Sequence, residues 1–291
     1  MHQFLRAVGF SDIATKKQIK NLMNDVIVKP NGKDFMETDR NSVLVEYSKD
    51  YSSSAGITLR GEFDEEENLT LDYFYPYVKA SKVSTTEDVN IERHAAQESF
   101  AGVLEDYRVG VTIIFYAVNG IEIMKRYLSN ELGTVNTSVS FSGLSLYGTV
   151  MLPIIKNDND RQKSLQANKD RSQRMVAAKQ GDEEAIEKLT LEDIDTYSAI
   201  SKRILKDDIY SLVDSYFMPY GVECDQYSVL GEIEECSEEI NSMTQEKIHV
   251  LSLNCNGLPI TVCINDKDLL GEPQVGRRFK GNIWLQGMIH L

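Results

Sequence analysis

The chain has 291 residues, room for two ordinary domains or one large one. Apolar residues make up 42% and charged residues 26%, a globular balance that excludes a disordered chain, and no window approaches the ~18 consecutive apolar residues of a membrane-spanning helix. Thirty-one Lys and Arg against 45 Asp and Glu give a net charge of −14, which repels phosphate backbones and anionic lipid, so neither nucleic acid nor a membrane is an expected partner. The opening residues Met1–Arg6 show no basic region followed by an apolar core, and the expected location is the cytoplasm.

In chain order, the first thirty residues read as helix, turn, helix. Phe4, Leu5, Val8 and Phe10 come first, and Thr15 then caps a run carrying Ile19, Leu22, Met23, Val26 and Ile27, ended by Pro30-Asn31-Gly32. Strands follow at 42–47, 56–63 and 69–78, with Asp64–Asn68 as a solvated hairpin loop. The run 109–118 is the most apolar in the chain and reads as a central strand. Asn119-Gly120 is expected to turn it into a strand over 121–127. Two further strands, 135–141 and 144–152, are expected to pair around Ser142-Gly143. Hairpin order of this kind favours an antiparallel α+β domain, and no phosphate-binding glycine loop follows any strand.

At Pro153 the composition shifts. Residues 157–179 are charged, with Leu165, Met175 and Val176 as the sizeable apolar groups, and fit an exposed helix or a poorly ordered connection. Gly181-Asp182-Glu183-Glu184 reads as a helix start, with acids favourable at its N-terminus. Ile194, Tyr197, Ile200 and Ile204 continue a helical stripe. Asp207-Asp208 restarts a helix carrying Ile209, Leu212, Val213 and Phe217, stopped at Pro219. The tail returns to strands at 227–233, 248–255, 259–265 and 278–289, with a turn at Asn256-Gly257.

The four cysteines, Cys224, Cys236, Cys255 and Cys263, form no C-x-x-C pair, and nearby His249 completes no zinc signature. Reduced structural thiols are expected, with no metal and no cofactor. His94 and Glu98 would share one face of a helix, as an acid/base pair or metal ligands do, and Asp106 and Arg108 lie close enough to join them. The plain alternative is a solvated helix with ordinary i,i+4 pairing. No nucleophile elbow is present and no cysteine sits beside a base, so no catalytic residue is assigned.

The last strand is more informative. Period-two alternation places Phe279, Ile283, Leu285 and Ile289 on an inward face. Arg278, Lys280, Asn282, Trp284 and Gln286 fall on the other, and with Arg277 they form a candidate recognition face around the only tryptophan. The competing reading has Trp284 packed against another part of the chain.

The strings MHQFLRAVGF, RHAAQESFAGVLEDYRVGVTIIFY, YFMPYGVECDQYSVLGEI and DLLGEPQVGRRFKGNIWLQG span nearly the whole chain. They resemble an uncharacterised family of bacterial proteins of about this length, known only as a domain of unknown function. That resemblance implies a bacterial cytosolic protein and supplies no activity, cofactor or catalytic residue.

The expected architecture is therefore α+β. It comprises an N-terminal, mostly antiparallel sheet with helices (1–153), a helical middle segment (154–220) and a small β-barrel-like C-terminal module (221–291). The expected function is non-catalytic binding or scaffolding of an unknown protein or small-molecule partner. An enzyme or sensor with a small-molecule site between the two β units is the alternative.

Overall fold

The computed structural model describes residues 2–38, 42–93, 99–129, 137–153, 166, 170–171, 173–178, 180–192 and 213–291. Strands dominate it, arranged in two sheets. The first is an antiparallel meander of β1 (Gly32–Glu37), β2 (Val43–Asp50), β3 (Ala55–Phe63) and β4 (Leu69–Val78). The last three are the predicted strands. β1 escapes sequence reading because its residues, Gly-Lys-Asp-Phe-Met-Glu, show no apolar alternation: Phe35 points to solvent and Met36 beside it is buried.

The helix α1 (Lys16–Val28) begins where Thr15 predicts. The Thr15 hydroxyl accepts from the Gln18 amide, while the Gln18 side chain accepts from the Thr15 amide. Its Leu22, Met23 and Val26 pack in one cluster with Tyr47, Ile57 and Leu59 of the sheet. The expected first helix is a short 3-10 helix, Gln3–Val8, ended by Gly9 in the left-handed region at φ 87°.

The ten-stranded sheet contains β5 (Asn90–Arg93), β6 (Phe100–Asp106), β7 (Val111–Ala117), β8 (Ser138–Met151) and β9 (Tyr216–Pro219). It is completed by β10 (Gln226–Ile240), β11 (Lys247–Cys255), β12 (Leu258–Asn265), β13 (Leu269–Leu270) and β14 (Arg278–His290). β8 runs parallel to β12, and β12 is antiparallel to β11, as β11 is to β10 and β10 to β14. β14 then pairs antiparallel with β8 along its whole length, so the pairings return to the strand where they began. Leu251, Leu253, Ile260, Val262, Phe279, Ile283 and Leu285 share one buried cluster with Ile113 and Phe115 of β7.

Several expectations need correction. The C-terminal strands do not pair only among themselves, because β8 from the first half of the chain lies between β12 and β14. Asn119-Gly120 opens a helix, α2 (Gly120–Leu128), and not a hairpin. The Asn119 carbonyl accepts from the Ile123 amide, and its side-chain amide is fastened in both directions to the Ile289 backbone. Ser142-Gly143 is no turn either: β8 runs straight through it, and the glycine leaves room for the Ile283 side chain, which a Cβ would meet at 2.9 Å.

The expected helical middle segment, 154–220, is not evident as a unit; among its described residues helix is found at 173–178 and 183–192. The second stretch opens where expected, with the Asp182 carboxylate accepting from the Glu184 and Ala185 amides. The stripe from Ile194 to Leu212 lies outside the described residues. Phe217, expected on a helix, belongs to β9 and stacks on Tyr227 at 4.3 Å between ring centroids. Arg278 donates to the carbonyls of both Leu152 and Val213, so the chain leaves and re-enters the sheet at one point.

Candidate functional site

The polar and aromatic groups that stand out lie along the seam where the four-stranded layer and the N-terminal segment meet the larger sheet. Trp284 is 6% exposed. Its ring stacks on Phe4 at 5.3 Å and lies 4.8 Å from His2 and 5.3 Å from Tyr116, while its indole N–H donates to Asp225 at 2.6 Å. Gln286, two residues on, is fully buried and donates to the Pro76 carbonyl of β4. Arg278 is buried on its two carbonyls.

The strand alternation of β14 is thus as predicted, but the recognition face is not an open one. Its Arg278, Trp284 and Gln286 are buried in internal contacts, and only Arg277, Lys280 and Asn282 remain partly exposed. Alternation identifies two faces. It cannot tell whether a second layer of the same chain covers the polar one.

A second group crosses the small sheet in one row. Asp34 of β1 pairs with Glu46 of β2, Glu46 with Arg60 of β3, and Arg60 with Tyr73 of β4. Arg60 is 2% exposed; it reaches Glu46 at 2.6 Å and donates to the Tyr73 hydroxyl at 2.8 Å. Gly120 at the start of α2 lies against it, where a Cβ would meet Nη2 at 2.4 Å. Burial pushes the Glu46 carboxyl above its ordinary range, with the Arg60 charge and hydrogen bond pulling it back. Tyr116, among Tyr75, Tyr73 and Arg60, has its hydroxyl pushed far up by burial. Sequence reading misses this row because Glu46 and Arg60 look like ordinary strand residues until the register aligns them.

The predicted cluster divides. His94 and Glu98 lie outside the described residues. Asp106 and Arg108 do meet, at 2.5 Å, and the same guanidinium donates to the carbonyls of Ser84 and Gly257. Burial pushes Asp106 up, but the hydrogen bonds and charge of Arg108 outweigh it and leave the carboxyl below its usual range. The pair ties the β6–β7 turn to the β11–β12 turn. Near the start of β11, the Nε2–H of His249 donates to the Asp266 carboxylate, 2.7 Å away. Burial raises the Cys255 thiol to about 12, and Cys263 higher, so neither yields a thiolate readily at neutral pH. Among the described residues no three His, Cys, Asp or Glu side chains converge as metal ligands. Nor, among them, is any helix long and apolar enough to cross a membrane.

Fold and seam together define a β-rich chain with few helices, in which a four-stranded layer is fastened to a ten-stranded sheet by buried aromatic and charged groups. The chain belongs to the family described as "Domain of unknown function, E. rectale Gene description (DUF3881)", which matches residues 5–287. No curated protein and no solved structure matches it.

Proposed function

We propose that the chain is a non-catalytic binding or scaffolding protein of the cytoplasm. The observation that carries this reading is the use made of its chemically capable side chains. Arg60, Asp106 with Arg108, and Glu246 each direct their hydrogen bonds to side chains or carbonyls of other strands and turns of the same chain. Groups held in this way fasten segments together, whereas general acids and nucleophiles keep one position open toward a substrate.

The circuit of pairings supports a small barrel inside the larger sheet. Its order has four antiparallel joints and one parallel joint, between β8 and β12. That is the order of the five-stranded oligonucleotide/oligosaccharide-binding barrel with the chain cut elsewhere. β10, β11, β12, β14 and β8 take its first to fifth places. In such barrels the ligand face is the outer side of the second and third strands. Here that side carries Ile248, Val250, Thr261 and Cys263; three of these pack with the N-terminal layer, and Thr261 takes Ser81. An oligonucleotide is therefore not the expected ligand, in keeping with the charge of −14. On this reading, residues 154–220 are an insertion between β8 and β10, and the partner is a protein or small molecule.

A broad panel of hydrolase, transferase and oxidoreductase substrates offered to the purified chain should give no turnover. Turnover abolished by Arg108→Ala or His249→Ala, with the fold retained, would overturn the proposal.

A further inference from the structure

The N-terminal segment is held in a way that ordinary core packing does not require. Four consecutive main-chain carbonyls are each taken by a different side chain of the large sheet and its turns. Asn265 donates to the Arg6 carbonyl at 3.1 Å, and the Cys263 thiol to that of Ala7 at 3.2 Å. Asn241 donates to Val8 at 2.9 Å, and Thr244 to Gly9 at 2.6 Å. Side chains of the segment are read as well. The Arg6 guanidinium makes two hydrogen bonds to Asp268, at 2.5 and 2.8 Å. Ser11 gives both its amide and its hydroxyl to Glu246, and Phe4 lies on Trp284. Gly9 could not carry a side chain, because its φ is 87° and a Cβ would stand 2.8 Å from Asn241.

Successive carbonyls give affinity without sequence preference; the arginine fork, the aromatic stack and the glycine give selectivity. We infer that β12, the turn 241–246 and the short helix 266–268 form a peptide-binding site whose resident ligand is this chain's own residues 2–11. The ligand class is a short peptide with an aromatic residue two places before an arginine, and a glycine three places after it. The hydrogen bonds stand whether or not the circuit of strands is read as a barrel, so this inference is independent of the proposed function.

The linker to α1 suits a test, since Asp12 and Ala14 are exposed. A specific protease site inserted between Ile13 and Ala14 of the full chain allows cleavage after folding. The two pieces should co-elute, and a fluorescent synthetic peptide of residues 2–13 should exchange into the cleaved protein with saturable binding. Asp268→Arg should weaken that binding about tenfold, and a peptide carrying Arg6→Glu should recover most of it. Separation with unfolding of the larger piece, absence of exchange, or binding indifferent to Asp268→Arg would each overturn the inference.

Discussion

Trp284→Ala tests the seam directly. The indole is 6% exposed and touches three other rings, so truncation removes one of the largest contact surfaces in the seam and leaves a cavity that Phe4 and Tyr116 cannot both fill. Large-to-small changes of this kind cost about 3–5 kcal/mol. Trp284→Phe keeps a ring in place but withdraws the donor from Asp225, a loss of about 1.5–3 kcal/mol for a hydrogen bond to a charged group. Leu285→Ala serves as the internal comparison, because Leu285 is fully buried on the opposite face of the same strand and should cost about 2–5 kcal/mol. Trp284 is the only tryptophan, so stability is best followed by urea titration with far-ultraviolet circular dichroism, which all three variants share with the parent. Comparable, severe losses for Trp284→Ala and Leu285→Ala are expected. A loss under about 1 kcal/mol for Trp284→Ala beside a large one for Leu285→Ala would show that its face is an open surface and refute the seam.

Three further outcomes are expected. Arg60→Met leaves Glu46 buried without its partner and should cost about 3–5 kcal/mol, while the double variant Arg60→Met/Glu46→Gln should recover part of that; no recovery in urea titrations would refute the pairing. Burial, helped by the positive N-terminal amine, lowers the His2 imidazole from 6.5 to about 4, so the unfolded chain takes up the proton first as pH falls and stability declines between those values. His2→Phe should flatten that decline, and identical pH profiles for parent and variant would exclude His2 as its source. Asn119→Ala removes both bonds to Ile289 along with the side chain that precedes α2, and should lower stability by about 0.5–2 kcal/mol, read as a drop in Tm; an unchanged Tm would show that α2 is held without it.

Local signals in the chain decide much of the secondary structure. Thr15 with Gln18 starts a helix because two orphan amides are satisfied by side chains three residues apart, and Asp182 does the same for 183–192. Runs of β-branched and aromatic residues between polar turns mark the strands at 42–47, 56–63 and 69–78, and alternation in 278–289 also separates two faces, because pleating sends successive side chains to opposite sides. Asn256-Gly257 makes the turn it advertises, yet Asn119-Gly120 opens a helix, since the dipeptide supplies only backbone freedom and the Ile289 backbone supplies the rest. The candidate site was less legible. Asp106 and Arg108 are close in sequence and do meet, but their remaining partners, Ser84 and Gly257, come from turns that only folding brings together. What tertiary structure alone decided is which polar residues are buried. Arg278, Trp284 and Gln286 have the sequence of a solvated face, and they are covered because Phe4, Pro76, Leu152 and Val213 arrive from elsewhere in the chain. β8 likewise joins β12 and β14 across more than a hundred residues. Periodicity reports how a segment divides its own side chains; the free energy of covering either side depends on surfaces that sequence neighbours do not supply.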